Sequence, residues 1–172
     1  MKLLTLIRHA KSDWRYEGLS DFERPLNARG RRNAPQMGQH LRRYLPPIDC
    51  LVASPANRAI TTARLLADEL EIDKDAIVVI PALYLAAPTE MLDVLQSLAA
   101  SDQHVALVGH NPGISQLCHQ LADHAEFGEL PTCAAAHLKL DAAGWSRAQP
   151  GCGELLRYDS PKRLKQLDPS SH

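Results

Sequence analysis

The stretch LTLIRHAKSDW, Leu4 to Trp14, decides how the chain is read. A short apolar run with the look of a buried strand ends abruptly in Arg8 and His9, followed by Ala10, Lys11, Ser12 and Asp13. In an open parallel sheet, ligands bind along the edge formed by the strands' carboxyl ends. If the rest of the chain builds such a sheet, this strand delivers a guanidinium and an imidazole to that edge.

Working outward, apolar runs and helical patterns alternate. Lys2–Ile7 reads as the first strand, Asp49–Ala53 as the second, Ala76–Ile80 as the third and His104–Val108 as the fourth. A helix is expected between Asn27 and Tyr44, with Ala34, Met37 and Leu41 on one face and Pro35 forcing a late start or a kink. Ser54-Pro55 reads as an N-cap followed by proline at the first helical position. Pro88 opens a helix that buries Met91, Leu92 and Leu95, and a further helix carries Ile114, Leu117, Cys118 and Leu121. Ala134–Leu140 and Glu154–Tyr158 read as later strands joined by a turn-rich link. The alternation predicts a three-layer α/β/α sandwich with a mainly parallel sheet. One domain over residues 1–160 is expected, with residues 161–172 a polar, frayed tail.

The chain has 172 residues, 45% hydrophobic and 23% charged, the balance of a soluble globular domain. It shows neither a run long enough to span a membrane nor a secretory signal pattern, so the expected location is the cytoplasm, with no membrane partner. Cys50, Cys118, Cys133 and Cys152 form no CxxC pair. Residues 1–43 carry ten Lys/Arg against four Asp/Glu, which points to an anionic ligand. Aromatic residues are only 5% and no nucleic-acid module is recognisable, so a nucleic-acid partner is not expected.

Polar residues recur at the strand ends. Arg8-His9 closes the first strand, Ser54 follows the second with Arg58 in the next helical turn, and Gly109-His110-Asn111-Pro112-Gly113 follows the fourth. Two guanidinium forks and helix N-termini suit phosphate oxygens. An imidazole is the natural nucleophile among these groups, since the chain has neither a GxSxG elbow nor a cysteine in a phosphate-loop pattern. GHNPG is not a Walker loop. His9 and His110 could also be metal ligands, but no adjacent carboxylate or second close histidine supports a metal, and none is expected.

RHA after the first strand, SPANRAITTA after the second and GHNPG after the fourth resemble the histidine phosphatase superfamily, the phosphoglycerate mutase and acid phosphatase group. RHAKSDW, DFERPLNARG and LYLA are similar to the SixA-type phosphohistidine phosphatases. The likeness runs from about Leu3 to Leu121. It implies a phosphoglycerate mutase-like fold, no cofactor and a phosphohistidine enzyme intermediate. His9 would be the nucleophile, Arg8 and Arg58 would clamp the phosphoryl oxygens, and His110 would steady their charge. Asn111 and Lys11 would lie at the site, with Arg15 and Arg24 beside Lys11 on its rim. Ala10 replaces the usual glycine. Where mutase-like members carry an acidic proton donor this chain reads PALYLAAPTE, leaving Glu90 and Asp13 as candidate donors. A phosphate ester needs such a donor because it expels an alkoxide. A phosphohistidine expels an imidazole, whose conjugate acid has a pKa of about 6.5. The expected substrate is therefore a phosphohistidine on a protein. A small phosphomonoester and a non-catalytic phosphoprotein-binding module are the alternatives. The sequence names neither the partner nor an oligomeric state.

Overall fold

The computed structural model describes residues 1–122 and 127–167. Six strands form one sheet: β1 (Lys2–Arg8), β2 (Cys50–Ala53), β3 (Val78–Val79), β4 (His104–Gly109), β5 (Ala135–Leu140) and β6 (Gly153–Asp159), in the order β3-β2-β4-β1-β5-β6. β1, β4, β2 and β3 pair in parallel, and β5 is antiparallel to both β1 and β6. Five strands therefore share one direction, and β5–β6 is the hairpin that the turn-rich link implied.

Alternation along the strands divides the core into two. Leu4 and Leu6 of β1 join Val105 and Leu107 of β4 on one face, under Met91 and Leu95 of α3 (Pro88–Gln96) and Ile114, Leu117 and Leu121 of α4 (Gly113–Leu121). Ile7, Ala106 and Val108 point the other way. They pack under Ala34, Met37 and Leu41 of α1 (Ala28–Tyr44) and Ala63, Leu66 and Ala67 of α2 (Asn57–Leu70). This is the α/β/α sandwich.

The structure corrects four local expectations. α1 does not start late: it begins at Ala28 and runs through Pro35, opened by Asn27, whose Oδ1 accepts from the Gly30 N–H at 2.8 Å. The third strand shrinks to Val78–Val79, because residues 74–76 form a 3₁₀ turn capped by Asp73 and β3 lies at the sheet's edge. Ser54 is not a helix cap: Ala56 takes that position, and the Ser54 hydroxyl turns inward. Residues 161–167 of the expected tail are helical, α5 (Pro161–Leu167), since Pro161 suits a first turn and Leu164 packs against the α1–α2 core. Residues 168–172 lie outside the described residues.

Two glycines press loops onto the carboxyl edge of the sheet. A Cβ at Gly30 would overlap the Lys11 carbonyl oxygen, which itself accepts from the Asn27 N–H at 2.9 Å. A Cβ at Gly113 would overlap the Ala86 carbonyl oxygen. Gly30→Ala is therefore expected to lower stability by about 1–3 kcal/mol, the usual cost of overpacking, and to displace the segment that follows His9. Urea denaturation and the activity assay check this; unchanged values in both would contradict the close approach.

Candidate active site

The register of β1 with β4 builds the site. Arg8 pairs with Gly109, so His9 and His110 leave adjacent strands side by side. The His9 N–H donates to the Gly109 carbonyl at 3.0 Å, and the two rings lie 5.2 Å apart. His9 Nδ1 is 2.7 Å from the Ala10 carbonyl oxygen. A carbonyl only accepts, so Nδ1 carries the proton and Nε2 keeps its lone pair. Burial pushes the His9 pKa down to about 3; the Ala10 contact opposes this, while His110, Arg58 and Arg8 reinforce it. The ring is neutral and nucleophilic at physiological pH.

Around it stand three buried nitrogens that no acceptor among the described residues satisfies: Arg8 Nε, Arg58 Nε and His110 Nδ1. Each such group costs about 1–3 kcal/mol unless something accepts from it. All three residues line one cavity with His9. Other polar atoms of the three side chains are held by the protein. Arg8 donates to the Leu130 carbonyl at 3.1 Å. Arg58 donates through its two terminal nitrogens to the backbone oxygen and Oδ2 of Asp21, at 2.7 and 3.0 Å. His110 Nε2 lies 2.7 Å from Ser54 Oγ. Burial, with Arg58 next in effect, holds the His110 pKa down to about 4.

Asp21, Ser54 and Tyr84 were not singled out as site residues by sequence. The Asp21 carboxylate accepts from Arg24, Arg58 and the Tyr84 hydroxyl, the last at 2.6 Å. Burial pulls its pKa upward, but these donors win and hold it well below the usual carboxylate range. Asp21 lies within DFERPLNARG, yet no spacing in that segment gives it a role. Arg24, expected on the rim, does line the cavity, but from a buried position: it donates to Ser12 Oγ at 2.6 Å and its guanidinium lies 3.4 Å over the Trp14 ring.

The candidate proton donors stand elsewhere. Both oxygens of Asp13 accept from Arg15, which lowers the Asp13 pKa to about 2, and Asp13 does not line the cavity. Glu90 is exposed and accepts from the Ala87 N–H at 3.0 Å, capping α3. Arg15 is thereby committed to Asp13. Lys11 lines the cavity from an exposed position. Asn111 lines it too, but its side chain is occupied, donating to the Leu130 carbonyl at 2.8 Å and accepting from the Ser115 hydroxyl at 2.5 Å. Among the described residues no carboxylate lines the cavity. Among the described residues, no three His, Cys, Asp or Glu side chains gather as a metal would require.

The family model for the histidine phosphatase superfamily (branch 1) matches residues 4–82. An uncharacterised protein of Mycobacterium tuberculosis is 33% identical over 165 residues, covering 91% of this chain and all of the relative. This chain belongs to the histidine phosphatase superfamily. Membership gives the coarse activity, phosphatase, and leaves the substrate open. The fold matches that of the protein histidine phosphatase SixA complexed with tungstate, with a TM-score of 0.81, 24% identity and coverage of 95% of this chain and 99% of that one. A protein of Agrobacterium tumefaciens assigned as phosphohistidine phosphatase SixA superposes with a TM-score of 0.78 at 26% identity, covering 93% and 98%. A mycobacterial glucosyl-3-phosphoglycerate phosphatase shares the fold at a TM-score of 0.67 and 16% identity, covering 90% and 97%. None of the described helices is long and apolar enough to cross a membrane.

The protonation states are open to measurement. Both depressed pKa values belong to bases, so the neutral rings persist until the pH falls to about 4 and then about 3. In an NMR titration of the free protein, the His9 and His110 ring signals are expected to hold their neutral shifts from pH 8 to 5. A midpoint near the ordinary imidazole value of about 6.5 for either would contradict this account.

Proposed function

We propose that the protein is a phosphohistidine phosphatase: His9 takes the phosphoryl group from a phosphorylated histidine on a partner protein, and water then releases it as phosphate. The observation that carries the reading is the cavity itself, which sets a neutral His9 beside three unsatisfied buried donors and, among the described residues, is lined by no carboxylate. In the first step His9 Nε2 forms a bond to phosphorus as the bond from phosphorus to the substrate's imidazole nitrogen breaks. The His9 Nδ1–H keeps its hydrogen bond to the Ala10 carbonyl, which offsets charge developing on the ring. Arg8, Arg58 and His110 donate to the phosphoryl oxygens, where positioning and electrostatics supply most of the catalysis. The leaving imidazole takes its proton from solvent, which its pKa of about 6.5 allows. In the second step water attacks phosphorus, the bond to Nε2 breaks, and His9 returns unmodified. No metal or cofactor takes part, and the reaction belongs in the cytoplasm.

The dimensions of the cavity favour a protein substrate. Its volume is about 170 Å³, below the roughly 300–1,000 Å³ of sites that enclose a small molecule. It suits the end of one phosphorylated side chain, with the rest of the substrate lying outside. At its mouth stand Trp14, 72% exposed, and Leu85, 55% exposed. Leu85 has φ 49°, a conformation that a bulky residue rarely adopts and that tends to mark functional sites. Large apolar side chains displayed around a cationic cavity suit a protein surface.

The second reading, a small phosphomonoester, draws only on the shared fold of the glucosyl-3-phosphoglycerate phosphatase. A binding module without catalysis would not need the nucleophilic His9 tautomer.

His9→Ala is expected to abolish both turnover and acid-labile phosphate labelling of the protein; normal activity in that variant sinks the mechanism. Replacing Trp14 and Leu85 by alanine should lower kcat/KM on a phosphohistidine protein about tenfold more than on free phosphohistidine, as loss of an interface anchor does. Equal losses on the two substrates would favour the small-molecule reading.

A further inference from the structure

His110 can donate to a phosphoryl oxygen only if its proton sits on Nδ1. A neutral imidazole has one proton and two places for it, and a free ring gives Nδ1 no special claim. Something in the protein must choose.

Ser54 Oγ lies 2.7 Å from His110 Nε2, and both side chains are buried. The Ser54 oxygen also accepts from the Ala56 N–H at 3.3 Å, at the head of α2. Among the described residues no carbonyl or carboxylate takes the Ser54 hydroxyl proton, and His110 Nε2 is its only acceptor within reach. The hydroxyl therefore donates to Nε2. Nε2 must then be unprotonated, and the proton moves to Nδ1, the buried nitrogen without a partner in the cavity. The opposite tautomer would present a bare lone pair among Arg8 and Arg58, where a phosphoryl oxygen would be repelled.

We propose that Ser54 is a positioning residue for catalysis: its hydroxyl fixes His110 in the Nδ1–H tautomer, so that the ring reaches the reaction already set as a donor. Ser54 touches neither substrate nor the reacting atoms. It works through His110, as Ala10 works through His9, and the two settings are complementary. The Ala10 carbonyl accepts a hydrogen bond from His9 Nδ1–H and leaves Nε2 free to attack. The Ser54 hydroxyl donates a hydrogen bond to His110 Nε2 and leaves Nδ1–H free to donate. One strand–helix junction thus supplies two parts of the site, since Ser54 and Arg58 are four residues apart.

This proposal rests on the reading of the cavity as a phosphoryl site, but its decisive readout is taken without substrate. In ¹⁵N-resolved NMR of the free wild-type protein, His110 should show the protonated nitrogen at Nδ1. In Ser54→Ala the ring should shift to Nε2–H or to a mixture of tautomers. The kcat should fall by about tenfold, part of the ~10²–10³ lost when an oxyanion-stabilising donor is removed outright. The KM should change little, and Ser54→Thr, which keeps the hydroxyl, should recover both tautomer and rate. An Nε2–H tautomer in the wild type overturns the proposal. So does a Ser54→Ala protein with an unchanged tautomer, or with an unchanged kcat. If Ser54→Thr does not fold, the Ser54→Ala spectrum decides alone. Failure of the phosphatase reading would show separately, as activity retained in His9→Ala.

Discussion

The parallel pairing of β1 with β4 is the constraint on which the site depends. Because Arg8 sits opposite Gly109, the next residues, His9 and His110, emerge together, and one hydrogen bond from the His9 amide to the Gly109 carbonyl fixes their relation. A slip of one residue would turn every side chain of β1 to the other face and undo both halves of the core along with the histidine pair. The apolar alternation that holds the two core layers together is thus also what holds His9 and His110 in place.

Bringing two guanidiniums and two imidazoles together under burial is unfavourable unless something compensates. The imidazoles stay neutral. Arg58 is held by Asp21, whose carboxylate also takes Arg24 and the Tyr84 hydroxyl, and Arg8 is held by the Leu130 carbonyl. The Leu130 backbone is itself fixed from both sides, its carbonyl by Asn111 and its N–H by the Ser115 hydroxyl. These contacts use only some of the arginine nitrogens. What remains free points to the chemistry: donors for an oxyanion, fixed before it arrives, so that little reorganisation is needed as the reaction proceeds.

Much of this was legible in the sequence, for identifiable reasons. Apolar runs closed by Arg8-His9 and by Gly109-His110 carry both strand and site in one local pattern, and Arg58 sits in a first helical turn that its segment announces. The supporting contacts were not legible, because they join segments far apart in the chain. Nothing near Asp21 says that it faces Arg58 and Tyr84, and Ser54 looked like a cap because its local sequence suits one. Arg24 reads as a rim cation and does line the cavity, but its burial against Ser12 and Trp14 depends on contacts that its own segment does not announce. Asp13 and Glu90 were named for their charge and their nearness in sequence, and both proved to be engaged locally, by Arg15 and by the N-terminus of α3.

The central claim is geometric: Arg8 Nε, Arg58 Nε and His110 Nδ1 serve one phosphoryl group held against His9 Nε2. The most direct test is a crystal structure of this protein with bound tungstate. The account predicts a single oxyanion in the cavity, its oxygens accepting from all three nitrogens and its central atom facing His9 Nε2. An oxyanion bound elsewhere, or one in the cavity that leaves those nitrogens unpaired or faces the Nδ1 side of His9, would contradict it.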